Sequence, residues 1–250
     1  MKTTILFHIY YPGSIRETSE LLKSFENSNT SFIFNVPFQP YNVHRSISEE
    51  INSFFPKSIV LNTSNKGKDI GGKLAMLNCY LKLPEKSDYL IFLHDKKSEL
   101  KYTINNHKID SDLWKKELFS IIHRDNIQQI KNLFAESDTG MVTHANHIYT
   151  MEEHGKYVIF GNNMLNLEEL CNKFNLPNIT DHKTDFSGGT MFWVKSSIYE
   201  EFFSENPPLE IRAKLEEGLF TDRYTGTYTH AMERIFSWIV SSKGYKIRGI

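Results

Sequence analysis

Apolar runs and helical stripes alternate along the first hundred residues. Thr3 to Tyr10 is a nearly continuous apolar run, which predicts a strand buried on both faces. Pro12-Gly13 turns the chain, and Leu21, Leu22 and Phe25 fall at helical spacing within Ile15 to Phe25. Ser31 to Val36 predicts a second strand, Ile47 to Phe55 a short helix, and Ser58 to Leu61 a third strand. Leu74, Leu77 and Leu81 place a helix over Gly72 to Leu83. Pro84 stops it, and Asp88 to Leu93 is the fourth strand. Strands alternating with helices at this spacing predict right-handed βαβ crossovers and a mostly parallel sheet.

The later pattern is less regular. Lys101 to Ser111 is polar and reads as a loop. Asp112 is placed to cap a helix carrying Trp114, Leu118, Ile121 and Ile122 on one side, and Asn126 to Phe134 continues as helix before a short strand at Thr139 to Val142. His144 to Gly161 has no clear period. Leu167, Leu170, Cys171 and Phe174 mark another amphipathic helix. A double glycine then leads into the bulky run Met191-Phe192-Trp193-Val194, and a short helix to Glu217 precedes a polar loop over Thr221 to Thr229. In the last helix, from His230, Ala231, Ile235, Trp238 and Ile239 take one side, and His230, Glu233, Arg234 and Ser237 the other.

Composition narrows the class only slightly. The 250 residues carry a net charge of -1, with 40% hydrophobic and 24% charged residues. That balance lacks the basic excess of a general nucleic-acid binder. Cys79 and Cys171 are the only cysteines and read as reduced, buried thiols of a cytoplasmic protein. The N-terminal apolar run is too short and too polar to span a bilayer, so work at a membrane would be peripheral. No linker divides the chain, which reads as one domain.

The candidate chemistry centres on Leu61 to Ser98. Asn65-Lys66-Gly67-Lys68-Asp69-Ile70-Gly71-Gly72 combines backbone N–H groups, a helix start and two lysines, the parts that hold phosphate oxygens. It is neither a Walker A loop nor a GxGxxG fingerprint. The strand ending at Leu93 passes abruptly into His94-Asp95-Lys96-Lys97-Ser98, where lysines can meet a diphosphate and His94 or Asp95 a divalent cation. His230 beside Glu233 is a second candidate metal ligand or leaving-group partner. His144 and His147 have a metal-compatible spacing, but the sequence sets no carboxylate or thiol beside them. A solvated strand end and a salt-bridged helix face are the plain structural readings of the same charges.

These motifs resemble the rhamnan-synthesis F family of bacterial polysaccharide glycosyltransferases. HIYYP (His8 to Pro12), NKGKDIGG (Asn65 to Gly72), LHDKKS (Leu93 to Ser98), GGTMFWV (Gly188 to Val194) and HAMERIF (His230 to Phe236) occur in the family's order. The resemblance implies a GT-A-like, Rossmann-type αβα sandwich, one domain with 1–100 as the nucleotide-sugar-binding half and 101–250 as the acceptor-side half. It also implies transfer of a hexosyl or deoxyhexosyl group from a nucleotide sugar to a glycan acceptor, a surface polysaccharide or lipid-linked precursor, at the cytoplasmic face of the membrane. On that plan His8, Tyr10, Asn65, Lys68, Asp69, His94, Asp95, Lys96 and Lys97 hold the donor. Glu233 or Asp185 is the base, and Gly188, Gly189, Thr190, Trp193 and Arg234 lie on the acceptor side. Asp95 and His230 are the metal candidates for Mn2+ or Mg2+. His94-Asp95-Lys96 stands where the family plan has an Asp-x-Asp pair, and Lys96 and Lys97 would replace part of the metal's charge. A nucleotide-dependent phosphotransferase and a non-catalytic nucleotide-sugar or glycan-binding module are the competing readings.

Overall fold

The computed structural model describes residues 1–95, 111–177, 185–218 and 226–250, with the backbone of 102–104 and 107–109. In chain order the elements are β1 (Thr3–His8), α1 (Ser14–Lys23), β2 (Thr30–Pro37), α2 (Tyr41–Phe54), β3 (Ile59–Thr63), α3 (Lys68–Leu81), β4 (Tyr89–His94), β5 (Tyr102–Ile104), β6 (His107–Ile109), α4 (Ser111–Phe119) and α5 (Arg124–Ala135). There follow β7 (Thr139–Thr143), β8 (Ile148–Tyr149), α6 (Met151–Phe160), α7 (Met164–Lys173), β9 (Phe186–Ser187), β10 (Phe192–Lys195), α8 (Ser196–Glu205), α9 (Pro208–Arg212), α10 (Tyr228–Ser242) and β11 (Lys246–Gly249). One-turn 3-10 helices occupy Ser120–Ile122 and Ala145–His147.

Seven strands form the central sheet in the order β11-β7-β10-β4-β1-β2-β3. All adjacent pairs are parallel except those of β10, which runs antiparallel to both β4 and β7. This is the mostly parallel, Rossmann-like sandwich that the alternation predicts. Side chains alternate between its faces. Leu6, Leu90 and Phe92 pack with α3, α7, α8 and α10, whereas Ile5, Phe7, Ile91 and Leu93 pack with α1, α2, α4 and α5. Two apolar layers on one sheet explain why β1 and β4 read as unbroken hydrophobic runs.

The strand order reverses beside β1, since β2 lies on one side of it and β4 on the other. Open α/β sheets bind ligands at such a switch point, beyond the carboxyl ends of the strands. His8 and His94 are register partners at those ends.

Several boundaries differ from the sequence reading. The helix expected from Gly72 starts at Lys68, so Gly71 and Gly72 lie within its first turns instead of in a loop before it. Their use is close packing. A Cβ on Gly72 would sit 2.1 Å from His8 Nδ1, so α3 lies directly on the β1 terminus. Asp112 falls within the first turn of α4, not ahead of it. Part of the loop expected at Lys101 to Ser111 forms the antiparallel pair β5–β6. The aperiodic stretch after His144 holds short pieces, and Gly155, at φ 72°, breaks α6 in two. Most of the Thr221 to Thr229 loop lies outside the described residues. Among those described, no helix is long and apolar enough to cross a membrane.

Gly72→Ala should therefore overpack the α3–β1 contact and lower stability by about 1–3 kcal/mol, read as a shifted urea midpoint at constant slope. On a His8→Ala background the clash disappears while alanine's helix preference remains, so the same change should be neutral or stabilising.

Candidate functional site

The site is built on a lysine buried where the sheet ends. Lys73 lies on the apolar stripe of α3, three residues after Ile70 and four before Leu77, and its side chain is 0% exposed. Its Nζ donates to Asp69 Oδ2 at 2.7 Å and to His94 Nδ1 at 3.0 Å, and also to the Thr190 hydroxyl. Thr190 Oγ1 in turn donates to Asp69 Oδ2 at 2.9 Å. One ammonium thus joins α3, the end of β4 and the loop before β10. His94 Nδ1 therefore lies beside both the ammonium and the carboxylate, 3.6 Å from Asp69 Oδ2.

Burial lowers the pKa of Lys73, and the Asp69 carboxylate, then Glu233, opposes that shift. For Asp69, burial pushes upward, but the Lys73 ammonium and His94 outweigh it and hold the acid well below the usual carboxylate range. The Asp69 side chain remains 26% exposed. The carboxyl edge of the sheet therefore presents a partly exposed carboxylate backed by a hidden cation. Its place in the first turn of α3 also sets that negative charge at the positive end of the helix dipole.

The loop opposite Asp69 carries backbone strain. Gly189 has φ 75° and Thr190 φ 50°, and the left-handed region costs a β-branched residue on the order of 1–3 kcal/mol. Gly188 is pressed against the Tyr149 ring, where a Cβ would meet Cε2 at 2.1 Å. Glu233 holds this turn from α10, because its Oε1 accepts the Gly189 N–H at 2.9 Å. Its Oε2 accepts from Arg234 Nη1 at 3.0 Å. Arg234 also donates to the carbonyls of Ile159, His230 and Val158, and its guanidinium lies 4.5 Å over the Phe186 ring. Arg234 is a strut behind the loop.

The glycine-rich stretch is held from its other side. Gly67 N donates to Glu216 O at 2.7 Å, and Arg212 donates from Nε to Gly71 O and from Nη2 to Ser64 O. Asn65 is partly exposed. Lys68 is partly buried, and that burial lowers its pKa against the pull of Asp69 and Glu216.

Asp95, at the end of β4, is buried and turned towards the start of α1. Its carboxylate accepts the Tyr10 N–H at 2.9 and 3.0 Å, the Tyr11 N–H at 2.6 Å and the Ser14 hydroxyl at 2.8 Å. These bonds fasten the β1–α1 turn. Burial moves its pKa up to about 6, against the two amides and the hydroxyl. His8 is buried beneath Gly72, which pushes its pKa down to about 4. Trp193, named for the acceptor side, is fully buried in the core and donates from Nε1 to Ile121 O. Its alternation on β10 turns it into the helical layer of α4 and α5, so it is unable to face an acceptor. His230 is partly buried, with Nδ1 at 2.6 Å from the Thr227 hydroxyl that caps α10. Asp185 stands directly before β9 and is partly buried. Lys96 and Lys97 lie outside the described residues.

The structure thus brings together Asp69, His94, Thr190, Gly189 and Glu233, five of the residues singled out by motif. It adds Lys73, Arg212 and Glu216, which motif reading passed over. Lys73 did leave a signal, as a lysine on an otherwise apolar stripe and an i,i+4 partner of Asp69.

The family model described as rhamnan synthesis protein F matches residues 1–245, nearly the whole chain. Among curated proteins, none matches the chain.

Asp69→Asn should leave the Lys73 ammonium buried beside a neutral amide, costing about 3 kcal/mol in urea unfolding, and Asp69→Asn/Lys73→Met should recover part of that loss. His8 gives a pH test. Between pH 6.5 and 4 the unfolded chain takes up a proton that folded His8 refuses, so stability should fall with pH by up to about 3 kcal/mol. Asp95 titrates in the opposite sense over part of that window. The difference in slope between the natural chain and His8→Gln therefore isolates the histidine.

Proposed function

Because the chain belongs to the rhamnan synthesis protein F family, with a role in rhamnan polysaccharide synthesis, we propose that it is a GT-A-type glycosyltransferase. In this reading it moves a sugar from a nucleotide-sugar donor to a growing glycan. The observation that carries the reading is the Asp69 carboxylate, partly exposed at the β1–β4 switch point and tied through Thr190 to the loop held by Glu233. A crevice in that position suits a nucleotide. The sheet order, with a single antiparallel strand between β4 and β7, accords with the GT-A plan.

A partly exposed carboxylate accepts hydrogen bonds from hydroxyls, so Asp69 is assigned to a ribose or donor-sugar hydroxyl. Lys68, Lys96 and Lys97 are assigned to the diphosphate. His8 and Asp95 support the crevice from behind, since both are buried and in contact with its backbone. The commitment of Asp95 to three donors leaves the diphosphate charge to lysines more than to a carboxylate-held Mn2+ or Mg2+.

The reaction needs a base to take the proton from an acceptor hydroxyl, whose oxygen then attacks the anomeric carbon as nucleoside diphosphate departs with the bonding pair. Positioned cations stabilise the leaving charge. Glu233 is the assigned base, with Asp185 second. One observation favours a binding module instead, because both Glu233 oxygens already accept hydrogen bonds.

Thermal shift against a panel of nucleotide sugars, with and without divalent metal, identifies the donor, and release of nucleoside diphosphate measures turnover. Glu233→Gln should retain donor binding and lose about 100-fold or more in turnover. Full activity in both Glu233→Gln and Asp185→Asn would defeat the base assignment. Tight binding with no turnover over a range of acceptors would establish the binding module.

A further inference from the structure

On the far side of the Gly189 turn, α4 approaches the 3-10 turn after β7. Glu117 comes from α4, and His144 and His147 bracket the 3-10 turn, some thirty residues later in the chain. One ligand-type atom from each of the three lies within 4.8 Å of the others. We propose that Glu117, His144 and His147 form a binding site for a divalent transition-metal ion of the zinc class, separate from the Asp69–Lys73 crevice.

The donor set supports that class. Two imidazoles and one carboxylate suit zinc and its neighbours, whereas Mg2+ and Ca2+ prefer all-oxygen shells. Two ligands on a tetrahedral zinc lie about 3.3 Å apart, given bonds of about 2 Å. Glu117 Oε2 and His147 Nε2 are 3.2 Å apart, so this edge is already at coordination spacing. A simple ion pair would account for Glu117 and His147 but gives no reason for the third group.

The surroundings orient the same atoms. Asn146 Nδ2 donates to Glu117 Oε1 at 2.7 Å, which turns Oε2 towards His147. The Trp114 ring stacks on His147 with centroids 6.0 Å apart. His144 Nδ1 accepts from Asn146 N at 3.2 Å, which holds the ring over the start of the 3-10 turn. Three protein ligands leave the fourth position of a tetrahedral ion open to water.

The ion would join α4 to the segment leading into β8. His147 O accepts the Gly188 N–H at 2.9 Å, and β8 pairs with β9, so the clamp would brace the strained Gly188–Thr190 turn from outside.

The test is calorimetric titration of Zn2+ into chelator-treated protein, with Co2+ absorption as a report on coordination. One equivalent should bind with submicromolar affinity and raise the melting temperature, and the Co2+ form should show the visible bands of a low-symmetry four-coordinate ion. His144→Ala and Glu117→Ala should each weaken binding at least tenfold while keeping the circular dichroism of the metal-free natural chain. Absence of saturable binding, or a loss below tenfold in either folded variant, would overturn the site.

Discussion

The salt bridge between Lys73 and Asp69 is the interaction around which the carboxyl edge of the sheet is arranged. An unpaired ammonium in a protein interior is expensive, and a partner at 2.7 Å together with hydrogen bonds to His94 and Thr190 makes its burial tolerable. Because those partners come from α3, β4 and the loop before β10, the ammonium dictates where three separate segments meet. Its positive charge also keeps Asp69 ionised where the carboxylate reaches the crevice. A hidden cation thus defines the electrostatics of a site that presents an anion.

The strained Gly189–Thr190 turn follows from the same arrangement. Thr190 keeps a left-handed backbone because its hydroxyl is bonded to both Lys73 and Asp69 while Glu233 holds the preceding amide. Strain of this kind persists only where the surroundings over-determine it. Glu233 and Arg234 are neighbours on α10 with distinct tasks, since Glu233 faces the turn and Arg234 fastens that helix to the carbonyls of α6. The glycine-rich stretch is likewise closed by Arg212 and Glu216, so its glycines serve the approach of chain to chain.

Six of the seven sheet strands and most helices are legible from hydrophobic period, because a strand buried on both faces has to be apolar throughout and a packed helix needs a stripe, whereas the short, polar edge strand β11 and helix α8 are not. Period is weak at boundaries, and the start of α3 shows why. Gly71 and Gly72 look like a loop in sequence, yet they lie inside the helix because only a residue without a Cβ permits contact with Lys66 and His8. The family plan sets Trp193 on the acceptor side, but alternation on β10 turns it inward, as its place in a bulky apolar run suggests.

For the site, the sequence by itself determined that a glycine-rich basic stretch opens a helix, that a polar cluster ends a buried strand and that the last helix has a His-Glu-Arg face, and hence that Asp69, His94 and Glu233 merit chemical attention, with Thr190 added by the family resemblance. Only the tertiary structure decided their partners. Asp95 became an anchor for the β1–α1 turn, Lys73 a buried centre, and Glu117 a neighbour of His144 and His147. The physical reason is that period and composition report burial, a property each residue has singly, whereas hydrogen bonds and ion pairs join groups far apart in the chain, and only the packed sheet sets those distances.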